Sequence, residues 1–135
     1  SREFGLKNLI RVTADCPLLN AETVRFCLSQ IKSEEYDLFS TRGVYPQGMD
    51  IELFSVDALR RLTDEFEISD YDHEHLTAKF YKHPDQFLTR YFSCPPAWNP
   101  ASGPFTLDTP DDYLAVTKVI RKYNISVSET GPFYV

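Results

Sequence analysis

Apolar and polar positions along this chain follow two periods, and the switches between them mark the elements. Leu9, Ile10 and Val12 form a short, largely β-branched run that predicts a buried strand near the start. The run ends quickly: Thr13-Ala14 leads to Asp15, and Cys16-Pro17 stops any ladder because proline has no N–H to donate. Asn20 reads as an N-cap for a helix from Ala21 to Ser33, with Val24, Leu28 and Ile31 recurring at i, i+4, i+7. Tyr36 to Ser40 predicts a second strand. After a loop holding Gly43, Pro46 and Gly48, a third strand is expected from Ile51 to Phe54. Its alternation puts Ile51 and Leu53 on one face and Asp50, Glu52 and Phe54 on the other.

Downstream the period lengthens. Ser55 caps a helix from Val56 to Glu67 whose inward residues are Leu59, Leu62 and Phe66. Asp70 or Asp72 opens another helix, His73 to His83, with Leu76 and Phe80 as its seam and Pro84 as its stop. Leu88 to Ser93 is strand-like, Pro95 to Pro104 is an irregular loop, and Phe105 to Asp108 is a brief strand. Thr109-Pro110-Asp111-Asp112 combines a cap residue, a proline at the first helical position and two acids in the first turn. The helix it starts runs to about Tyr123, with Tyr113, Val116 and Ile120 inward. Strands alternating with helices predict a three-layer α/β domain with a mostly parallel sheet and right-handed crossovers.

Composition narrows the function classes. A length of 135 residues predicts a single domain, 1–135, and 42% apolar residues with 14% aromatics suffice for a core. The net charge of −6, with no basic stripe, argues against a nucleic-acid partner. No run approaches the ~18 apolar residues of a membrane span. Ser1-Arg2-Glu3-Phe4-Gly5 lack the apolar segment of a signal peptide. Cys16, Cys27 and Cys94 fit neither a disulfide framework nor a zinc motif, so a cytoplasmic location is expected. Cys27 reads as a small buried hydrophobe.

Two acids share one kind of position. Asp15 and Asp108 each end an expected strand and precede a proline-led turn, the place where open α/β sheets put their chemistry. If the strands are neighbours, the two carboxylates meet in one crevice and suit Mg²⁺, which takes hard oxygen ligands. The plainer reading makes each acid a cap for the helix that follows. Thr109 already supplies a cap beside Asp108, and Asn20 is better placed than Asp15. In Tyr45-Pro46-Gln47-Gly48-Met49-Asp50-Ile51-Glu52, Gly48 permits a tight turn or a close approach, and Asp50 and Glu52 form an acid pair on one strand face. That pair either meets a cation or sugar hydroxyls or is a solvated face. His73 and His75 are spaced i, i+2, a poor zinc pair, but at a helix start they could hold an anionic group. Cys16 is a poor nucleophile, because the neighbouring carboxylate raises its pKa.

Four segments in order carry a resemblance. They are Ile10-Arg11-Val12-Thr13-Ala14-Asp15-Cys16-Pro17-Leu18, then Tyr45 to Ser55, then His73-Glu74-His75-Leu76-Thr77, then Phe105-Thr106-Leu107-Asp108-Thr109-Pro110-Asp111-Asp112. Together they resemble the cytidylyltransferases of nucleotide-sugar biosynthesis, in the branch of the spore-coat polysaccharide biosynthesis protein F type, relatives of the CMP-sialic acid and CMP-KDO synthetases. The resemblance implies a Rossmann-like, nucleotide-diphospho-sugar transferase-like fold. It implies that a sugar or sugar acid attacks the α-phosphate of CTP, releasing pyrophosphate with Mg²⁺, in cell-surface polysaccharide biosynthesis. Asp15 and Asp108 would be the metal acids, and Gly48, Asp50, Glu52, His73 and His75 would surround the sugar. His73 stands where relatives commonly carry arginine.

Members of that family also begin with a glycine-rich basic segment that cradles the triphosphate. Gly5, Gly43, Gly48, Gly103 and Gly131 are isolated, and no such segment precedes Asp15. The expectation is therefore a C-terminal portion lacking the family's N-terminal strands, inactive when alone. Its first strand would lie at a sheet edge or pair with a second copy in a homodimer. Two alternatives stay open: a non-catalytic binding module with this fold, and a related glycosyltransferase.

Overall fold

The structure, a computed structural model, describes residues 5–32, 35–99 and 101–125, with all of their side chains except those of His73 and Glu74. Its elements are β1 (Asn8–Arg11), α1 (Ala21–Ser29), β2 (Leu38–Ser40), β3 (Glu52–Ser55), α2 (Val56–Glu65), α3 (Asp70–Glu74), α4 (Ala78–Lys82), β4 (Thr89–Tyr91) and α5 (Pro110–Tyr123). The chain packs into two compact units, each drawn from separate stretches. One comprises Ser1–Arg11, Ser33–Ser40 and Glu52–Tyr91; the other comprises Val12–Lys32, Thr41–Ile51 and Phe92–Val135.

The first unit holds a four-stranded sheet in the order β1-β3-β2-β4. It corrects the expectation of a mostly parallel sheet. β3 runs antiparallel to both β1 and β2, and only β2 and β4 are parallel. The reason lies in the connections. No helix separates β2 from β3, so the chain returns antiparallel, whereas the parallel β2–β4 pair has the helices α2, α3 and α4 within its crossover. β1 and β2 run the same way, as their joining helix α1 demands, and β3 inserts between them.

β1 is an edge strand, and the expectation that it is buried is corrected as well. Its residues alternate between exposed and half-buried, and Ile10 is 42% exposed. Leu9 supplies the inward contact. It joins Leu38, Phe54, Ala58, Leu62, Phe80 and Phe87 in a core that helices α2 and α4 close over the sheet. Phe80 and Phe87 pack with ring centroids 4.6 Å apart. Ser55 caps α2 as expected, accepting from the Ala58 N–H at 3.0 Å. The single helix expected from His73 to His83 is instead two short ones. Ser69, not Asp70 or Asp72, is the cap of α3, and Asp72 completes a capping box with it. The helix stops at His75, whose ψ of 61° leaves the helical region.

In the second unit, Asn20 caps α1 and accepts from the Thr23 N–H at 2.9 Å. The buried residues of α1 are Thr23 and Cys27, one position before the expected Val24 and Leu28, and Leu28 is 41% exposed. Cys27 is fully buried, as expected of a small hydrophobe, with its thiol 3.4 Å from the Tyr45 hydroxyl. Thr109 caps α5 through a complete capping box with Asp112, and Pro110 opens the helix. Val116 is the buried residue of α5, while Tyr113, expected inward, is 61% exposed.

Candidate functional site

Neither Asp15 nor Asp108 ends a strand. β1 ends at Arg11, so Asp15 lies beyond the strand, inside a tight turn closed by Cys16 N–H to the Thr13 carbonyl at 3.3 Å. A second turn follows at once, from Leu19 N–H to the Cys16 carbonyl at 3.2 Å, as the proline at 17 favours. Phe105 to Asp108 is not a strand of the sheet. It is a stretch of the second unit held by one bond on each side: Phe105 N–H to the Gln47 carbonyl and Leu107 N–H to the Asp15 carbonyl, both 2.9 Å. A lone bond to each neighbour makes no ladder.

That last bond matters most. It sets the residue just before Asp108 against the main chain of Asp15, so the segments carrying these two acids adjoin. Asp15 is half-buried and Asp108 is exposed. Asp50 belongs to the same unit. It lies ahead of β3, in a turn where its Oδ2 accepts from the Gly48 N–H at 3.0 Å. Gly48 is buried with φ of +90°, and a Cβ there would sit 2.5 Å from the Phe105 carbonyl carbon. The glycine is required by the close approach of Phe105 and Thr106 main chain. Asp15, Gly48, Asp50 and Asp108 therefore rest on three loops that are hydrogen-bonded to one another.

Cys16 sits among these acids. Its thiol is 3.2 Å from Thr13 Oγ1 and 3.7 Å from Asp15 Oδ1. Burial raises its pKa most; hydrogen bonds to the Thr13 side chain and the Asp50 main chain oppose the rise, and the charges of Asp15 and Asp50 add to it less. The thiol stays protonated near neutrality, as the sequence reading expects, although burial outweighs the neighbouring carboxylate as the cause.

The remaining expected residues are elsewhere. Asp50 and Glu52 do not form a strand-face pair, because β3 begins at Glu52 and Asp50 is spent on the preceding turn. Glu52 lies in the first unit as a buried carboxylate with three donors. It accepts from Arg11 Nη1 at 3.0 Å, from Thr77 Oγ1 at 2.8 and 2.9 Å, and from Tyr81 Oη at 2.6 Å. His75 is exposed and packs against Tyr71, with the rings tilted and their centroids 4.3 Å apart. The side chain of His73 lies outside the described residues. No cluster of three or more His, Cys, Asp or Glu able to hold a metal occurs among the described residues.

Sequence reasoning missed one feature. A cavity of about 360 Å³ opens in the second unit, walled by Trp98 from the irregular proline-rich loop and by Leu18, Met49 and Phe105 from the segments that carry the acids. The signal available was a lone tryptophan placed between prolines.

No protein-family model matches the chain. An uncharacterized protein of Methanocaldococcus jannaschii is 27% identical over 129 residues, an alignment that covers 93% of this chain and 52% of that protein. The chain thus spans about half the length of the curated relative it matches. Among solved structures, a cytidylyltransferase from Leptospira borgpetersenii serovar Hardjo-bovis aligns with a TM-score of 0.72 at 19% identity, covering 99% of this chain and 63% of that one. The chain is a mixed α/β protein that shares its fold with that cytidylyltransferase. No described helix is long and apolar enough to cross a membrane.

Proposed function

We propose that this chain is the sugar- and metal-binding portion of a nucleotidyltransferase that activates a sugar with CTP and releases pyrophosphate. The observation that carries the reading is the Leu107–Asp15 main-chain bond, which joins the two segments that carry Asp15 and Asp108 in a fold shared with a cytidylyltransferase. Asp15 and Asp108 would hold Mg²⁺. The donor set fits that ion: carboxylate oxygens are hard ligands, one or two suffice, and the remaining positions go to water and substrate phosphate. The neighbouring Cys16 thiol, buried and protonated, does not compete for it.

When bound, the metal neutralises charge on the triphosphate. The chain's own residues set the geometry around it. Asp50 fixes the Gly48 turn, and Gly48 lets the Phe105–Thr106 main chain close against that turn. Phe105 and Leu107 then hold the approach to Asp108 through their bonds to Gln47 and Asp15. In the reaction a sugar hydroxyl oxygen forms a bond to the α-phosphorus as the bond to the departing pyrophosphate breaks. Glu52 fixes β1 and β3 to α4 within the first unit through Arg11 and Tyr81. Triphosphate binding needs a glycine-rich basic segment that this sequence does not contain. The reading also takes cell-surface polysaccharide as the end use and the cytoplasm as the location.

The test assays pyrophosphate release from CTP with Mg²⁺ and a panel of sugars, using the chain alone and within its full reading frame. Release in the full reading frame, abolished by Asp15→Asn or Asp108→Asn, is the expected result. Release that survives both substitutions would refute the assignment.

A further inference from the structure

We infer that Cys16 is a positioning residue for the cation site: its thiol donates to Asp15 Oδ1 and so fixes the carboxylate that would hold Mg²⁺. The inference rests on the transferase reading above and adds a third side chain to it, one that acts through Asp15 rather than on the ion.

The direction of each bond follows from what the groups can do. Cys16 Sγ lies 3.7 Å from Asp15 Oδ1 and 3.2 Å from Thr13 Oγ1. An ionised carboxylate only accepts, and a thiol carries one proton. The thiol proton therefore goes to Asp15, and the Thr13 hydroxyl donates to the sulfur. The main chain of Asp50 bonds the same sulfur in a way that favours its charged form, so the group is the Asp50 N–H, a donor. The sulfur thus takes two donors and passes one proton toward Asp15.

These contacts place the thiol at a joint between loops. Thr13 and Asp15 belong to one tight turn, and Asp50 to the next, which its Oδ2 closes on the Gly48 N–H. Gly48 packs in turn against the Phe105–Thr106 main chain, which leads to Asp108. Cys16 is 7% exposed, so its bonds act where water screens them little. A partner that orients a metal-holding carboxylate is worth ~10–100-fold in metal affinity. An S–H group is a weak donor, which sets the lower end of that range. Cys27 is equally buried in the same unit, but its thiol donates to the Tyr45 hydroxyl, away from the acids' own bonds.

Mn²⁺ is titrated into the whole chain and its variants and followed by paramagnetic resonance, with denaturant unfolding measured beside it. Cys16→Ala should weaken Mn²⁺ binding about tenfold, a ratio of about 1.4 kcal/mol. Cys16→Ser keeps a donor and should recover all but about twofold of the affinity. Cys27→Ala should lose stability and keep its Mn²⁺ affinity. A purely structural thiol would change stability in both alanine variants and affinity in neither. The wild-type chain carries a signature of its own. A cation on Asp15 draws charge from Oδ1, so the Cys16 S–H infrared band, identified by its loss in Cys16→Ser, should move to higher wavenumber when Mg²⁺ is added. Unchanged affinity in Cys16→Ala, a Cys16→Ser variant as weak as Cys16→Ala, or a band that ignores Mg²⁺ overturns the inference while the two acids keep their cation. A wild-type chain that binds no Mn²⁺ removes the metal assignment and the inference with it. The expected pattern of affinities with no pyrophosphate release in the full reading frame leaves Cys16 in its role and removes the transferase reading.

Discussion

A Cβ on Gly48 would lie 2.5 Å from the carbonyl carbon of Phe105 and 2.8 Å from its oxygen. The turn from Tyr45 to Asp50 and the stretch leading into Asp108 thus meet main chain to main chain. Gly48 is also at φ +90°, where L side chains are strained. Gly48→Ala should therefore lower stability by about 2–3 kcal/mol from backbone strain alone, with the contact adding to it. Denaturant unfolding measures this. A change under ~0.5 kcal/mol, the size of an ordinary surface substitution, would show that the close approach is absent in solution.

The Glu52 carboxylate makes a second prediction. Glu52→Ala strands Arg11, Thr77 and Tyr81 at once and should cost about 3 kcal/mol, the low end for breaking a buried pair because Arg11 is one-third exposed. Arg11→Ala should cost less, about 1 kcal/mol, since both hydroxyl donors to the carboxylate remain. Equal losses would contradict the view that the hydroxyls share the work.

Acid titration tests the two capping boxes. Hydrogen bonds from the Ser69 side chain and main chain hold the Asp72 carboxyl well below the usual range, helped by Lys79. The Thr109 side chain and main chain lower Asp112 likewise. A carboxyl whose folded pKa is depressed contributes stability that is present above its unfolded value, near ~3.9, and lost as pH falls toward the folded value. Stability should thus fall below about pH 4, and Asp72→Asn with Asp112→Asn should flatten that limb. An unchanged acid limb in the double variant would contradict the boxes.

Thiol chemistry gives a fourth. Burial raises the pKa of Cys16, Cys27 and Cys94, and Cys16 and Cys27 are 7% and 0% exposed. Iodoacetamide near pH 7.5 should modify Cys94 first and reach the other two only after unfolding. Rapid modification of Cys16 in the folded chain would show an open, activated thiolate there.

Local signals in the sequence carried the helix starts. Asn20, Ser55 and Thr109 each cap the expected helix, because a cap depends on residues three positions apart. Sheet direction was legible only in part: the helix-free connection between β2 and β3 signalled a reversal, but the strand pattern itself does not encode pairing. The Phe105–Asp108 stretch reads as a strand in sequence, yet its main-chain partners are single loop residues. The acid pair at Asp50 and Glu52 failed for a similar reason. Alternation placed both on one face, while the Gly48 N–H had already claimed Asp50. The Trp98 cavity left only that lone tryptophan as a sign, because its walls come from distant segments.

The claim that Asp15 and Asp108 share one cation is tested most directly by metal binding itself. Mn²⁺, an oxygen-seeking substitute for Mg²⁺, is titrated into the chain and followed by its paramagnetic resonance. We expect one Mn²⁺ per chain, weakened equally by Asp15→Asn and by Asp108→Asn, with the double variant no worse than either single one. Binding that survives one of these substitutions unchanged, or losses that simply add, would mean that the two carboxylates do not hold a common ion.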